Sequence, residues 1–537
     1  MPGMICAPQP AAVETGALVL AAGGNAFDAA IAAAAVQFLV DPHSCGIGGY
    51  ALLTAHRADA PGESIAMDAA AFAGSRTWPE MWENIVIQPN PGGWGYFLEG
   101  KVNDDGYLSV CTPGTALGLE LMHRRWGSQP WRSLLTPAIE LAHTGWQVGA
   151  HLAARWKERP MFYEGSSAFE KLHASPEAER IYLKPDGSTL EAHEILRNPD
   201  YGRTLERVAE GGADEFYRGE LGQELAADLE RHGSWVTAGD LAGYQALDVS
   251  AVKGTYRGYD VHSAPAPHGG PTLLAILNIL EHYDLAAMGH NSPEFILTVS
   301  LAMKAAFADR NRYLGDPRVM DVREDWMISK GRAAEWVDRI RAGEEINAER
   351  VQPGAPDTTH ISVVDRWGNC VSLTHSLGSS SGAITPGTGF MWNNSMVNFH
   401  PYPGHANSIA PGKARTTGMA PTVVYRDGSP VLVLGAPGAT RILTSVLQVI
   451  LNRIDFGMSV TDAVHAPRFD CQEGAIQCQA RIPEYVCGEV RKHHPILRIP
   501  RSHGGLALVH AVARDPQSGQ LTGAADTGAD GMALLVP

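Results

Sequence analysis

Asp357-Thr358-Thr359-His360-Ile361-Ser362-Val363-Val364-Asp365 joins a polar, charged segment to a run of β-branched residues. From about Asp316 to Gly354-Ala355-Pro356-Asp357 the composition predicts an exposed linker, open to cleavage. From His360 to Leu377, strand-like residues flank Asp365-Arg366-Trp367-Gly368-Asn369, the turn of a hairpin. A second pair, Pro421 to Tyr425 and Val431 to Leu434, flanks Asp427-Gly428, and Arg441 to Ile454 then reads as an amphipathic helix. Upstream, Ala11 to Ala22 is a helix closed by Gly23-Gly24. Asn25 caps an Ala-rich helix that runs to Val40, and the turn Cys45-Gly46-Ile47-Gly48-Gly49 leads into a strand from Tyr50. Helices are expected at Pro271 to Tyr283 and Pro293 to Arg312, where Arg310 and Arg312 suit the C-terminal dipole. Hairpins with helices before and after them imply sheet layered between helices.

The 537 residues are 45% hydrophobic and 19% charged, enough to bury a large core without staples. A net charge of -16 with no Lys/Arg-rich run excludes the electrostatic footprint of a nucleic-acid binder and disfavours anionic lipid. The seven cysteines, odd in number and without a CxxC, read as buried free thiols. The most apolar window, Ala29 to Val40, is too short to span a bilayer. No secretory signal is visible at Met1 to Gln9, so the expected location is cytoplasmic. His43, His400, His405 and His493-His494 lack metal-ligand spacing, so neither a metal nor another cofactor is expected. His360 follows Thr358 by two residues and shares its strand face. It is expected either to line a site or to hydrogen-bond neighbouring backbone.

A threonine where a linker meets a strand has a use that an interior threonine lacks. Attack of its hydroxyl on the Asp357 carbonyl converts the peptide to an ester, and water then frees a chain that begins at Thr358. The new α-amino group, with an ordinary pKa near ~7.7–8.0, can serve as base for the neighbouring hydroxyl.

The stretch from Thr358 to Asp365, with Gly368-Asn369, resembles the start of the small subunit of γ-glutamyltranspeptidases. Ordered matches extend the resemblance from about Cys6 to Gln472. They include Gly23-Gly24-Asn25-Ala26-Phe27-Asp28, Thr112-Pro113-Gly114-Thr115, Gly254-Thr255-Tyr256-Arg257-Gly258-Tyr259, Ala308-Asp309-Arg310, Asn393-Asn394 and Pro437-Gly438-Ala439-Thr440-Arg441. The resemblance implies an α+β fold, the four-layer αββα sandwich of N-terminal-nucleophile (Ntn) hydrolases. It would be built from an intertwined large chain, 1–357, and small chain, 358–537. Thr358 would be the nucleophile, Ser376 the hydroxyl that hydrogen-bonds it, and the N–H groups of Gly438 and Ala439 the oxyanion hole.

The expected glutamyl pocket departs from that family. Its carboxylate-clamping arginine falls on Ala70, with Arg76 nearby as a substitute only after loop rearrangement. The paired serines read Thr417-Gly418, the ammonium-holding aspartate reads Asn398, a neighbouring asparagine reads Gly378, and Ser395 lies beside them. The implied partners are therefore a small amide other than an ordinary γ-glutamyl compound, with water or an amine as acceptor. The assembly implied is a heterodimer of self-cleaved chains, open to further dimerisation. Oxamate amidohydrolases and cephalosporin or glutaryl acylases are family branches with such pockets. A silent, uncleaved binding protein and a hydrolase of a non-amide bond remain as alternatives.

Overall fold

The computed structural model describes residues 2–63, 65–90, 95–159, 165–348 and 358–537. Asp357, one side of the expected scission, and the stretch Gly354 to Pro356 lie outside the described residues.

Two antiparallel sheets lie face to face. In the first the order is Met532–Val536, Gly3–Ala7, Thr359–Val364, Cys370–Ser376, Tyr50–His56, Ile65–Ala69 and Leu247–Val249. In the second it is Leu521–Ala525, His510–Arg514, Ser429–Gly435, Thr422–Arg426, Tyr259–Ser263 and Val252–Tyr256. Both sheets combine strands from either side of position 358, the intertwining that the resemblance implied. Valines 423, 433 and 512 pack with Met4 and Cys6 between the sheets. Ser372 Oγ donates to Leu434 O at 2.8 Å and accepts from Thr422 N–H at 3.0 Å, so the layers are also hydrogen-bonded.

Helices cover both outer faces, completing the αββα order. Pro10–Ala21 and Ala26–Val40 lie against the first sheet, and Gly270–Leu280 and Arg441–Ile454 against the second. Ala26–Val40 is buried along all but its last residue, because a helix of alanines can sit flush on a sheet. Its N-terminus carries the expected cap: Asn25 Oδ1 accepts from the N–H groups of Phe27 and Asp28, and Asp28 Oδ2 accepts in return from Asn25 N–H. A Cβ at Gly49 would lie 2.2 Å from Ser376 O, so the Gly-rich turn exists to let two backbones touch.

One expectation needs correction. The segment after Asp316 is not a bare linker, since it folds into the helices Glu324–Met327 and Lys330–Arg341. Their anchor is Asp309, which accepts from Arg332 (2.7 and 2.9 Å) and from Trp336 Nε1 (2.7 Å). Arg310 lies in the last turn of the helix Pro293–Tyr313, as expected, and its side chain is buried. It is 3% exposed, with Nη2 donating to Thr417 O at 3.0 Å.

All seven cysteines are buried and free, as expected. Among the described residues no helix is long and apolar enough to cross a membrane.

Candidate active site

Thr358, 6% exposed, immediately precedes Thr359–Val364, an interior strand of the first sheet. Alternation sends Thr359 to the helix side and Thr358 to the inter-sheet side. On the helix side a buried polar network fixes the strand end. Gln37 Nε2 donates to Thr359 Oγ1 (2.9 Å) and to Gln9 Oε1 (2.5 Å), while Gln37 Oε1 lies 2.7 Å from His375 Nε2. On the inter-sheet side Thr358 Oγ1 is 3.1 Å from Ser376 Oγ, and Ser376 Oγ accepts from Gly378 N–H at 2.9 Å. The residue beyond Gly378, Ser379, gives its N–H to Asn394 Oδ1 at 2.8 Å. Asn394 N–H is bonded in turn to Leu377 O at 3.0 Å. That bond pins the turn Ser395–Asn398 to the strand that carries Ser376.

The turn Pro437-Gly438-Ala439 faces the same place from the second sheet. Gly438 has φ +135° and Ala439 φ +60°, so one residue that needs glycine is followed by an alanine in the left-handed region. The amides of Gly438 and Ala439 donate to no acceptor among the described residues. They precede the 14-residue helix Arg441–Ile454, whose N-terminal dipole adds positive potential. Thr440 Oγ1 donates to Gln472 Oε1 at 2.7 Å and steadies the turn. From the other side Gly418 closes on it, since a Cβ there would lie 2.3 Å from Ala439 O. The serine of the family pattern does not fit at Gly418 unless the turn moves.

A cavity of about 830 Å³ opens at Thr358, Pro437 and Gly438. Its walls mix apolar residues such as Val40, Trp146 and Leu152 with Arg155, Arg441 and Arg501. It is wide enough for a drug-sized molecule.

The remaining sequence-derived positions divide. Thr417 Oγ1 is 3.0 Å from His268 Nδ1, and His268 Nε2 is 3.3 Å from Asp68 Oδ1, which also accepts from Ala70 N–H at 2.9 Å. Ala70 is thus joined to the site through Asp68, His268 and Thr417. Arg76 is not: its side chain is 47% exposed and pairs with Glu230 at 2.8 Å. Asn398 and Ser395 are buried, with the Asn398 amide and the Ser395 hydroxyl unpartnered.

His360 is held by hydrogen bonds, though to side-chain hydroxyls and not to the neighbouring backbone that was expected. Its ring nitrogens lie 2.8 and 2.9 Å from the Thr374 and Ser362 hydroxyls, under Gly435. Burial holds it neutral well below the ordinary histidine range and pushes His375 down to about 3. Neither ring takes up a proton near neutrality.

Sequence reading missed Gln37 and His268. Gln37 carried a signal, as a lone amide late in an otherwise apolar helix. Among the described residues no group of three or more His, Cys, Asp or Glu could hold a metal.

Comparison with known proteins agrees with this geometry. The family model described as Gamma-glutamyltranspeptidase matches residues 12–536. The glutathione hydrolase proenzyme of Escherichia coli (strain K12) is 33% identical over 489 residues, 88% of this chain and 81% of the relative. The acylase ACY 1 proenzyme of Pseudomonas sp. (strain SE83) is 34% identical, covering 99% of this chain and 93% of its own. A solved cephalosporin acylase from Bacillus halodurans superposes with a TM-score of 0.86 at 27% identity, covering 99% of this chain and 95% of that one. Fold, match and relatives agree on a hydrolase or transferase of the Ntn type, and the chain belongs to the gamma-glutamyltranspeptidase family.

Proposed function

We propose that this chain is a self-processing N-terminal-threonine amidase or acyltransferase, cut between Asp357 and Thr358, whose substrate is not an ordinary γ-glutamyl compound. The observation that carries the reading is the approach of Thr358 Oγ1 to Ser376 Oγ, 3.1 Å, at the mouth of a cavity bordered by the Gly438 turn.

In the precursor, Thr358 Oγ1 attacks the Asp357 carbonyl, and the amides of Gly438 and Ala439 receive the oxyanion. Collapse moves the acyl group from nitrogen to oxygen, and hydrolysis of the ester leaves a free α-amine on Thr358. In the mature enzyme that amine takes the hydroxyl proton as Oγ1 attacks the substrate amide, then delivers it to the leaving amine. An acyl ester remains on Thr358, and water or an amine takes the acyl group. The mature molecule is a heterodimer of 1–357 and 358–537.

Ala70, Arg76 and Asn398 support the altered substrate. A γ-glutamyl head group carries a carboxylate and an ammonium. Ala70 cannot clamp the first, Arg76 is engaged with Glu230, and Asn398 brings no charge to the second. Losing a charged hydrogen bond costs ~1.5–3 kcal/mol, so the combined loss reaches orders of magnitude in kcat/KM. The names of the relatives, an acylase and a cephalosporin acylase, favour an acylase. The test is a quench of turnover followed by mass spectrometry of the peptide that begins at Thr358. An acyl adduct on that residue, with γ-glutamyl-p-nitroanilide a poor substrate, is expected. Acyl transfer without modification of Thr358 overturns the mechanism, and brisk γ-glutamyl turnover overturns the substrate.

The base also leaves a mark on pH dependence. The amine must be neutral to accept the proton, so kcat/KM rises with pH through its pKa. Burial beside a cavity lowers an amine's pKa, placing the acid limb at or below ~8. With His360 and His375 held neutral, a pH–rate profile should show one proton and no limb belonging to either ring. An acid limb that vanishes on His360→Gln would assign the base elsewhere.

A further inference from the structure

The turn that follows Ser376 is built from unfavourable backbone. Gly378 and Gly382 have φ of +82° and +73°, and between them Ser380 stands at +57°, in the left-handed region that a side chain resists. Ser381 is tied through its main chain, donating N–H to Trp392 O and accepting from Gly106 N–H, each at 2.8 Å. Ser379 and Ser380 are held by side chains. Asn394 takes the Ser379 N–H, and His43 Nδ1 lies 3.3 Å from Ser380 Oγ.

The strongest of these restraints is a buried ammonium group. Lys171, on the short helix Ala168–Leu172, is 1% exposed. Its Nζ donates to Ser380 O at 2.8 Å, to Ser379 Oγ at 3.0 Å and to Asp104 Oδ1 at 2.7 Å. An ammonium has three protons, and these bonds take all of them. Asp104, with Asp105 at 3.8 Å, supplies the opposite charge that burial of a lysine demands. Asn394 Nδ2 donates to Asp104 Oδ1 at 2.8 Å and to Ser379 Oγ at 2.9 Å, so Lys171, Asp104, Asn394 and Ser379 close a ring. The helix also touches the turn directly, since a Cβ at Gly382 would lie 2.7 Å from Lys171 O.

This turn sets a hydroxyl beside the nucleophile. Gly378 N–H donates to Ser376 Oγ at 2.9 Å, and Ser376 Oγ stands 3.1 Å from Thr358 Oγ1. A serine hydroxyl has three staggered positions, and the Gly378 N–H selects one of them. The direction of that N–H depends on the left-handed residues that follow it. We infer that Lys171 is a positioning residue for the chemistry of Thr358: by holding Ser379 and Ser380 it fixes the Gly378 N–H and, through it, Ser376 Oγ. It touches no reacting atom. The inference rests on Thr358 being the nucleophile. After scission between 357 and 358, Lys171 and Asp104 belong to one chain and Ser376, Ser379 and Asn394 to the other. The large chain then sets the geometry of a site whose hydroxyls both lie on the small one.

Self-cleavage provides a test that needs no substrate. The full-length chain is made by cell-free synthesis, and conversion of the soluble 57.5 kDa precursor into two bands is timed. Wild type, Lys171→Met, Ser376→Ala and the double variant are compared. Lys171→Met should slow conversion roughly 10–100-fold, the scale on which a small misplacement of reacting groups acts. The double variant should be no slower than Ser376→Ala alone, within about twofold, because both changes remove one and the same effect. A lysine that only stabilises the fold would lower the yield of soluble precursor, and any slowing it caused would multiply that of Ser376→Ala. Multiplied effects therefore overturn the positioning role, as does a wild-type rate in either single variant. If the Lys171→Met precursor is insoluble, Ser379→Ala takes its place in the same cycle. It detaches the turn from the ring and leaves Lys171 paired with Asp104. A wild-type rate in Ser379→Ala, or slowing that persists in full beside Ser376→Ala, overturns the role. A wild type that never splits refutes Thr358 as the nucleophile and takes the role with it. A wild type that splits while the effects multiply refutes the role alone.

Discussion

Thr358→Ala should run as a single band of 57.5 kDa on denaturing electrophoresis. The wild type should give bands near ~39 and ~20 kDa, from chain lengths at roughly 110 Da per residue. In the proposed mechanism one substitution removes both the group that cuts the backbone and the group that attacks the substrate, so the two losses should appear together. Residual turnover should fall on the order of 10⁴-fold or more, the scale seen when a covalent nucleophile is deleted. The fold should survive, since Thr359 keeps its bonds to Gln37 and Gln9 and the strand stays in register. Thr358→Ser, which keeps hydroxyl and amine, should still split. Two bands from Thr358→Ala would move the scission point, and a wild type that is active while unbroken would discard the self-processing mechanism.

Gly438→Ala should cost roughly 10²–10³-fold in kcat, with a smaller effect on KM. The local geometry leaves no escape. A Cβ at position 438 would sit 2.6 Å from both Cα and Cβ of Ala507, on a backbone whose φ of +135° already belongs to glycine. The turn must shift, and the amides of 438 and 439 shift with it. In the proposed mechanism they are aimed at the charge that develops in the transition state, so displacement should harm the chemical step more than binding. The same proposal has these amides receive the oxyanion of the Asp357 carbonyl during maturation. Accumulation of the 57.5 kDa precursor should therefore accompany the slower turnover. A time course of processing and a steady-state assay measure both, and an unimpaired kcat would remove the oxyanion role.

Some elements could be read almost to the residue, and for identifiable reasons. Arg441–Ile454 is amphipathic, and Ala26–Val40 has Asn25 and Asp28 in a capping box; in both, local signals agree with the tertiary structure. The hairpin Thr359–Val364 to Cys370–Ser376 was legible through its turn residues. By contrast Gly3–Ala7 is buried on both faces and has no alternation to betray it. Met532–Val536 also went unread, because its partner Gly3–Ala7 lies at the other end of the sequence, and so did the local hairpin of His510–Arg514 and Leu521–Ala525.

In the site, Thr358, Ser376 and the Gly438 turn were legible because motif residues carry them. Arg310 was placed correctly in the last turn of its helix, but its burial went unread, although Phe307 and Ala306, three and four residues before it, are buried and mark its face as internal.

The strand Gly3–Ala7 lies between Thr359–Val364 and Met532–Val536, hydrogen-bonded on both edges. If the backbone is severed after residue 357, neither fragment can leave without stripping main-chain bonds from the other. Dilution should not loosen the pair. Denaturation of the severed form, however, turns a one-chain search into a meeting of two strangers, each lacking the neighbours its strands require. The molecule would then be a lock assembled once, whose working lifetime is set by how slowly it comes apart and not by how readily it reforms.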